Sequence, residues 1–388
     1  MIVPARPAPI VAALGIVQIL TWGSSFYLVA VLSSPIALET GWSLRAISGG
    51  VSLALLIAGL CAPRVGHLIR SHGGRPVLLG GIGLLMIGQI LLASATNLPL
   101  YFLAWVVLGA GMAGALYNAA FSALGVIYGA GARGAITRLT LWGGFASTIC
   151  WPLTAFFVEH LGWRGAVLCY VGINLFVTVP LVWFVLPRHT IDAAPDTATE
   201  LPPVISAFDP RFACMAVAGI SLSLVGATVS VHLITLLTAT GISVAAAVGL
   251  GALIGPAQVG ARLLELLGRE RHHPVVTLIA AAAFICAGFA ILRFNLPAAA
   301  GLIAYGAGNG LFSIARGTVP LAVFGVRDYA PIMGRLARPI LLASAAGPFL
   351  GAFVIEALGP QTTLTLLLIL TALPLLSALV LAALIRRG

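Results

Sequence analysis

Arg262 and Arg316 each stand inside a stretch otherwise apolar enough to cross a bilayer, 243–268 and 296–324. A guanidinium stays charged in any protein setting, and holding one at membrane depth costs about 3 kcal/mol or more. It is tolerated where it faces a bundle interior or a watery cavity, and its planar fork matches a carboxylate through two parallel hydrogen bonds. The chemistry implied is the capture of an anion. Each Arg lies about seven residues beyond the middle of its stretch, so the two charges fall at similar depth, roughly 10 Å from the midplane. Two cations that close repel unless an anion or a carboxylate lies between them. The alternatives are a side chain that snorkels to the headgroups, or one that bonds helix carbonyls as part of a gate. For Arg316 the stretch has a second possible end, at Thr318–Pro320, which would leave it near the surface.

Several side chains are placed to complete such a site. Gln258 stands one helical turn before Arg262 and Glu265 close to one turn after it, where Glu265 can pair with the arginine of an empty site or serve as gate or proton group. No stretch has a carboxylate at its centre, so a proton carrier of the usual acidic kind is missing. His232 is the best remaining titratable group, as proton site or outer gate, against a plain helix-packing role. Trp22, Tyr27, Tyr117, Asn118 and Asn309, with Gln18, Ser24 and Ser25, supply polar and aromatic groups near mid-depth. Singly each reads as an interhelical hydrogen bonder; together they suit a small polar substrate better than a sterol or lipid.

The elements that carry these residues follow from composition. Mean hydropathy is +1.11, and 60% of the 388 residues are hydrophobic against 8% charged. So few charges cannot dress a soluble surface, and the chain reads as an all-α polytopic membrane protein. At about 20 apolar residues per crossing it divides into twelve spans near 10–34, 44–66, 77–95, 99–127, 137–159, 165–186, 211–237, 243–268, 275–293, 297–322, 334–357 and 361–385. The first apolar run is too long for the core of a cleaved signal and reads as a retained span.

The net charge of +10 has its explanation in topology, not in nucleic acid. Every cation is Arg. With a cytoplasmic N-terminus, Arg45, Arg164 and Arg293 fall outside, and all the others that flank spans fall inside. That is the positive-inside rule, and it puts both termini in the cytoplasm, here of a bacterial inner membrane. The five cysteines are scattered through the spans with no CxxC, which reads as packing rather than a disulfide or metal site. There is no P-loop, GxSxG or HExxH motif, so enzyme readings, metals and cofactors are not expected. The pair His272-His273 reads as loop surface.

A polar stretch at 187–210 contains five prolines and Asp192, Asp196, Glu200 and Asp209. It reads as a cytoplasmic linker between an N-terminal six-helix bundle, 1–186, and a C-terminal one, 211–388. The halves repeat. A shift of 197 residues lays Gly109-Ala110-Gly111 on Gly306-Ala307-Gly308 and Glu159-His160-Leu161-Gly162 on Glu356-Ala357-Leu358-Gly359. A shift of 200 lays Thr40-Gly41 on Thr240-Gly241. The glycines of the fourth and tenth spans read as packing or hinge positions.

On these features the chain resembles the major facilitator superfamily over nearly its full length. Gly66-His67-Leu68-Ile69-Arg70-Ser71-His72-Gly73-Gly74-Arg75 looks like that superfamily's gate loop, with Gly66, Gly74 and Arg75 matching, while Arg70 and Ser71 replace its Asp-Arg. The resemblance implies two pseudo-symmetric bundles rocking about a central site, working as a monomer among membrane lipid, and a gate secured without the family's Asp. Gln258-Val259-Gly260-Ala261-Arg262 is similar to the Asp-x-x-Ala-Arg signature of the monocarboxylate transporter and oxalate–formate exchanger branch, with Gln258 in place of the Asp. That resemblance implies Arg262 as the anchor of a substrate carboxylate. The expected function is secondary active or facilitative transport of small organic anions, monocarboxylates or short dicarboxylates, by symport with protons or antiport. The alternative is a drug or toxic-metabolite exporter of the same fold.

Overall fold

The computed structural model describes residues 7–188, 209–268 and 271–387. Most of the 187–210 linker therefore lies outside the described residues. Among those residues the chain is helical throughout. The first half comprises α1 (Pro7–Gly23), α2 (Leu28–Thr40), α3 (Leu44–His72), α4 (Gly74–Ala93), α5 (Leu98–Ala115), α6 (Tyr117–Tyr128), α7 (Ala132–Gly143), α8 (Ala146–Ile173) and α9 (Val179–Val185). The second comprises α10 (Pro210–Thr238), α11 (Val244–Gly251), α12 (Ile254–Leu267), α13 (Pro274–Arg293), α14 (Ala298–Leu358) and α15 (Pro360–Arg387). Nine helices among the described residues are long and apolar enough to cross a membrane. Two of them are double, turning at Gly162 in α8 and at Gly325 in α14, and α1 with α2 builds the first span. Twelve crossings result.

Local sequence sets the turns. Ser43 and Asn97 accept hydrogen bonds from Ala46 N and Leu100 N and so cap α3 and α5. Further turns use glycine where only glycine is unstrained, and four of them fall in two matching pairs. Gly41 (φ 70°) ends the first span and Gly241 (φ 91°), 200 residues on, ends the seventh. Gly162 (φ 68°, ψ 175°) and Gly359 (φ 82°, ψ 163°), 197 residues apart, make the same turn into the sixth and twelfth spans. The separations are those at which the sequence repeats.

Two expectations need correction. A loop was expected between the tenth and eleventh spans, 323–333, but Gly325 (φ 72°, ψ 178°) reverses the chain alone and the helix resumes at once. Spans expected to be continuous are broken: the first at 24–27, the fourth at Leu116, the fifth at 144–145 and the eighth at 252–253. A π-helical turn, Asn174–Thr178, interrupts the sixth.

Apolar packing forms two cores, one drawn from residues 10–186 with Leu321, Tyr329, Ala330 and Met333, the other from 215–381. The halves meet at the end of the bundle from which the linker leaves. There α3 crosses the eleventh-span part of α14 in close contact, and α6 and α7 lie against α14 and α12. Gly59 faces the Arg338 carbonyl, Gly66 touches Ala330, and Gly334 touches Ala62 across the seam. Toward the opposite end α2 and α11 pack chiefly within their own halves. The structure is closed at the linker end and parts at the far end.

The matching residues of the gate-loop motif divide between two tasks. Gly66 belongs to this seam, whereas Gly74 packs on Ala123 and Arg75 lies 4.6 Å over the Trp183 ring, both inside the first half. A polar latch supplements the seam. From α7, Arg133 donates to the His272 carbonyl at 2.6 Å and lies 3.6 Å from Glu265. Glu265 also accepts from Thr277 Oγ1 at 2.7 Å and lies 3.3 Å from His272 Nε2. Glu265 is thus engaged with Arg133, not with Arg262, because its side chain leaves α12 toward the end of the bundle. His273 caps α13 by accepting from Val275 N at 3.1 Å. Burial first, and the Arg133 charge second, hold its imidazole below the ordinary range.

A Cβ at Gly66 collides with backbone, which cannot swing aside as a side chain can. Gly66→Ala is therefore expected to drive the population toward the state open at the linker end, read as a longer inter-half distance between spin labels there. Glu265→Gln removes the charge from the latch, and a hydrogen bond to a charged group is worth about 1.5–3 kcal/mol. Linker-end opening should then rise roughly 10- to 150-fold, measured by accessibility of a cysteine placed on the seam. The depressed His273 pKa means that below about 6.5 the unfolded chain binds a proton that the folded one resists. Thermal stability should fall as pH drops through that value, with a shallower fall in His273→Asn, which keeps a capping acceptor without the titration.

Candidate functional site

The helix breaks assemble the site. A break frees backbone groups, and inside a membrane protein such groups are tolerated only where they are buried in protein or line a cavity. The first-span break is fixed from behind by a buried amide network. Gln89 Nε2 donates to Ser24 O at 2.8 Å, and Asn174 Nδ2 donates to Ser24 Oγ at 3.3 Å and Gln89 Oε1 at 3.2 Å. Asn174 stands at the π-helical turn, so the sixth-span irregularity and the first-span break hold one another. At the fourth-span break Gln18 Nε2 donates to the Ala115 carbonyl at 2.8 Å. These amides turn the chain so that Trp22, Tyr27 and Tyr117 face the interior.

Aromatic rings line the wall that results. The Trp22 ring lies 5.5 Å from Tyr117 and 5.9 Å from Tyr27, Tyr27 lies 6.2 Å from the half-exposed Trp151, and Tyr117 stacks on Phe121 at 5.0 Å. Such pairs contribute about 0.5–1.5 kcal/mol each beyond burial, enough to hold the wall in shape. The Trp22 indole Nε1 is buried and has no hydrogen-bond partner.

Arg262 enters from the other half and is buried. Its Nη1 donates to the Thr140 carbonyl of α7 at 2.9 Å, its Nη2 to Gln258 Oε1 at 3.2 Å, and its Nε to the Gly310 carbonyl at 3.4 Å. The Thr140 carbonyl also accepts from Gly144 N at 3.2 Å and from the Tyr117 hydroxyl at 3.5 Å, one turn before the fifth-span break at 144–145. A Cβ on Gly143 would strike the Tyr117 hydroxyl, and one on Gly144 would lie 2.7 Å from Arg262 Nη1. The two glycines are thus the sockets of the tyrosine and the arginine. Sequence reasoning missed Thr140, Gly143, Gly144 and Trp151; the available signal was a Trp-Gly-Gly triplet within an apolar span. On the tenth span, Gly310 lies against the Gln258 backbone, and Gly306 and Gly308 lie against the carbonyls of Ile254 and Ala281. Those glycines are close-packing positions.

Arg316 lies deeper toward the linker end, where α14 continues through Pro320 as helix. Its charge and that of Arg262 both act on Tyr117. It lines a cavity with Asn118, and its Nε is shut off from solvent without a hydrogen-bond partner. Among the described residues neither arginine is ion-paired. Their carboxylates bind elsewhere, Glu39 to Arg164, Asp209 to Arg211 and Glu265 to the latch. Asn309 is half-buried on the tenth span beside Gly310. His232 packs against Gly351 inside the second half and does not join the arginines. The structure thus brings together Trp22, Tyr27, Tyr117, Gln258 and Arg262, with Arg316 and Asn118 beneath them, and leaves His232, Glu265, Gly66, Gly74 and Arg75 outside.

Comparison with known proteins bears on the fold. No curated protein matches the sequence significantly. Among solved structures, the human organic anion transporter MFSD10 (TETRAN) superposes with a TM-score of 0.76 at 15% identity, covering 96% of this chain and 99% of that one. The transporter FucP in its outward conformation gives 0.76 at 14%, covering 96% and 98%. The proton:xylose symporter XylE bound to 6-bromo-6-deoxy-D-glucose gives 0.73 at 13%, covering 96% and 94%. At such identities the likeness establishes the fold and not the substrate. The sequence itself matches the profile of the Major Facilitator Superfamily over residues 14–318, well over half its length. The chain belongs to the Major Facilitator Superfamily, and it is a multi-pass membrane transporter, not an enzyme.

Proposed function

We propose that the protein carries small organic anions bearing a carboxylate, monocarboxylates or short dicarboxylates, across the inner membrane of a bacterium. The observation that supports this most directly is a site rich in donors with no acid to neutralise them. Arg262 uses three of its five N–H donors on protein acceptors, which leaves two for a ligand. Trp22 Nε1 adds a buried donor without a partner, and the tyrosine hydroxyls lie within reach of the Arg262 charge. Arg316, below, adds positive potential. A neutral or cationic substrate would leave those charges unanswered in a low-dielectric site. Gln258 steadies Arg262, Asn118 and Asn309 are polar wall residues, and Glu265 serves the linker-end gate.

On this reading the linker end is cytoplasmic, following the arginine distribution, and the structure is outward-facing. No acid stands beside the arginines among the described residues, so exchange or facilitated flux is as consistent with the site as proton symport. A second reading, export of a flat apolar compound, draws on one observation, the aromatic wall from Trp22 to Trp151.

Uptake of a panel of short carboxylates into proteoliposomes, with and without an inward proton gradient, decides between them. Saturable uptake is expected. Truncating one side of a buried charged contact costs about 2–5 kcal/mol, so Arg262→Ala should lose roughly 30-fold or more in kcat/KM. Arg262→Lys, which keeps the charge but not the fork, should recover only part. No carboxylate uptake, together with drug export indifferent to Arg262→Ala, would sink the anion reading.

A further inference from the structure

We propose that the cavity beneath Arg316 is a binding site for one small inorganic anion of chloride's size, distinct from the organic-anion site at Arg262. The cavity is partly open and offers about 30 Å³ to a water-sized body. A single water needs roughly 10–15 Å³ by this measure, so the space suits one small ion better than an organic acid with its carbon skeleton. Two of its lining groups are polar, the Arg316 guanidinium and the Asn118 amide. The rest are apolar or backbone, among them Met215, Leu278, Phe312 and Met333.

The chemistry of this lining is one-sided. Arg316 cannot discharge, and its Nε has no partner although it is closed off from solvent. The hydroxyl of nearby Tyr329 is already donating to the Gly317 carbonyl at 2.7 Å. Asn118 can turn its NH2 toward the space, since the Ser122 hydroxyl donates to its backbone carbonyl at 2.8 Å and leaves the side-chain amide uncommitted. A permanent cation in a mostly apolar pocket is stable only with a counter-charge, and among the described residues no carboxylate is ion-paired with Arg316, while Glu39, Asp209 and Glu265 are paired elsewhere. Arg262 differs, because three carbonyl-type acceptors already surround it. Neutral acceptors thus orient Arg262 and leave its charge to the organic substrate, whereas the deeper Arg316 takes an anion of its own, which removes a repulsion that the organic substrate would otherwise have to offset.

The test uses the full-length purified transporter in nanodiscs, with sodium chloride titrated against sodium sulfate at constant ionic strength. Chloride should raise the melting temperature saturably by a few degrees. Crystals grown in bromide should show an anomalous peak beside Arg316. Arg316→Gln should abolish the shift while Arg262→Gln retains it, which separates this site from the organic-anion site. Asn118→Asp supplies a carboxylate from within, so it should be stable without chloride and indifferent to it; this variant carries the test if Arg316→Gln fails to fold. Overturning results are no chloride-dependent shift, a shift that survives in Asn118→Asp, or stabilisation by acetate but not by chloride. Carboxylate uptake that depends on Arg262 is measured separately, so either conclusion can fail without the other.

Discussion

The structure is organised around a guanidinium that cannot lose its charge and is held where the two halves meet. Arg262 belongs to the second half, yet its shortest hydrogen bond goes to Thr140 of the first. That bond shares the Thr140 carbonyl with its own helix, since Gly144 N also donates to it at 3.2 Å, and it requires glycine where the guanidinium passes. The eighth span must in turn approach the tenth closely enough for Gly310 to lie on the Gln258 backbone. One buried charge thus accounts for the glycine socket at Gly144 and a tight helix crossing.

The helix breaks answer to the constraint of satisfying backbone groups away from water. Gln18, Gln89 and Asn174 are buried amides that would be costly in an apolar bundle. Each donates to a main-chain or side-chain group at a break, which offsets part of their cost, although the buried Gln18 Oε1 has no partner. What they hold in place is the aromatic wall. Its rings are rigid, with few torsions to order on binding, which suits a site that must release its ligand as readily as it takes it.

Much of this was legible in the sequence, and the reasons are uneven. Hydropathy gave the twelve spans because each must be apolar to sit in lipid. The glycines at positions 41, 162, 241 and 359 showed in the sequence only as matches of the repeat; the structure gives the reason, since each makes a turn at positive φ. Arg262 and Arg316 stood out because a charge at membrane depth is rare. The breaks did not stand out. A window of about 20 residues averages over a lapse of three or four, and Ser24–Tyr27 is apolar enough to pass. The cause of that break, Asn174, is 150 residues distant from Ser24. The latch was hidden for a similar reason: Arg133 reads as one more flanking arginine until the fold sets it beside Glu265 and His272. The missing Asp of the gate loop left open how the linker end closes, and the answer, glycine packing on the eleventh span with a polar latch on the eighth, lies in pairings between halves that no local motif encodes.

A carrier must hold two states close in free energy and let its ligand choose between them. Here the linker end is closed by glycine packing and the Arg133–Glu265 latch, while the Arg262–Thr140 bond ties the site to the opposite half. A charged hydrogen bond of this kind is worth about 1.5–3 kcal/mol, comparable to the differential affinity needed to tilt such a balance. On the organic-anion reading, a carboxylate drawn to Arg262 neutralises the charge that strengthens the bond and competes for the donors that make it. Occupancy then weakens this polar tie between the site and the opposite half, and the halves are freer to part at the linker end. The same arginine that recognises the anion would thereby transmit its arrival, with no titrating acid required.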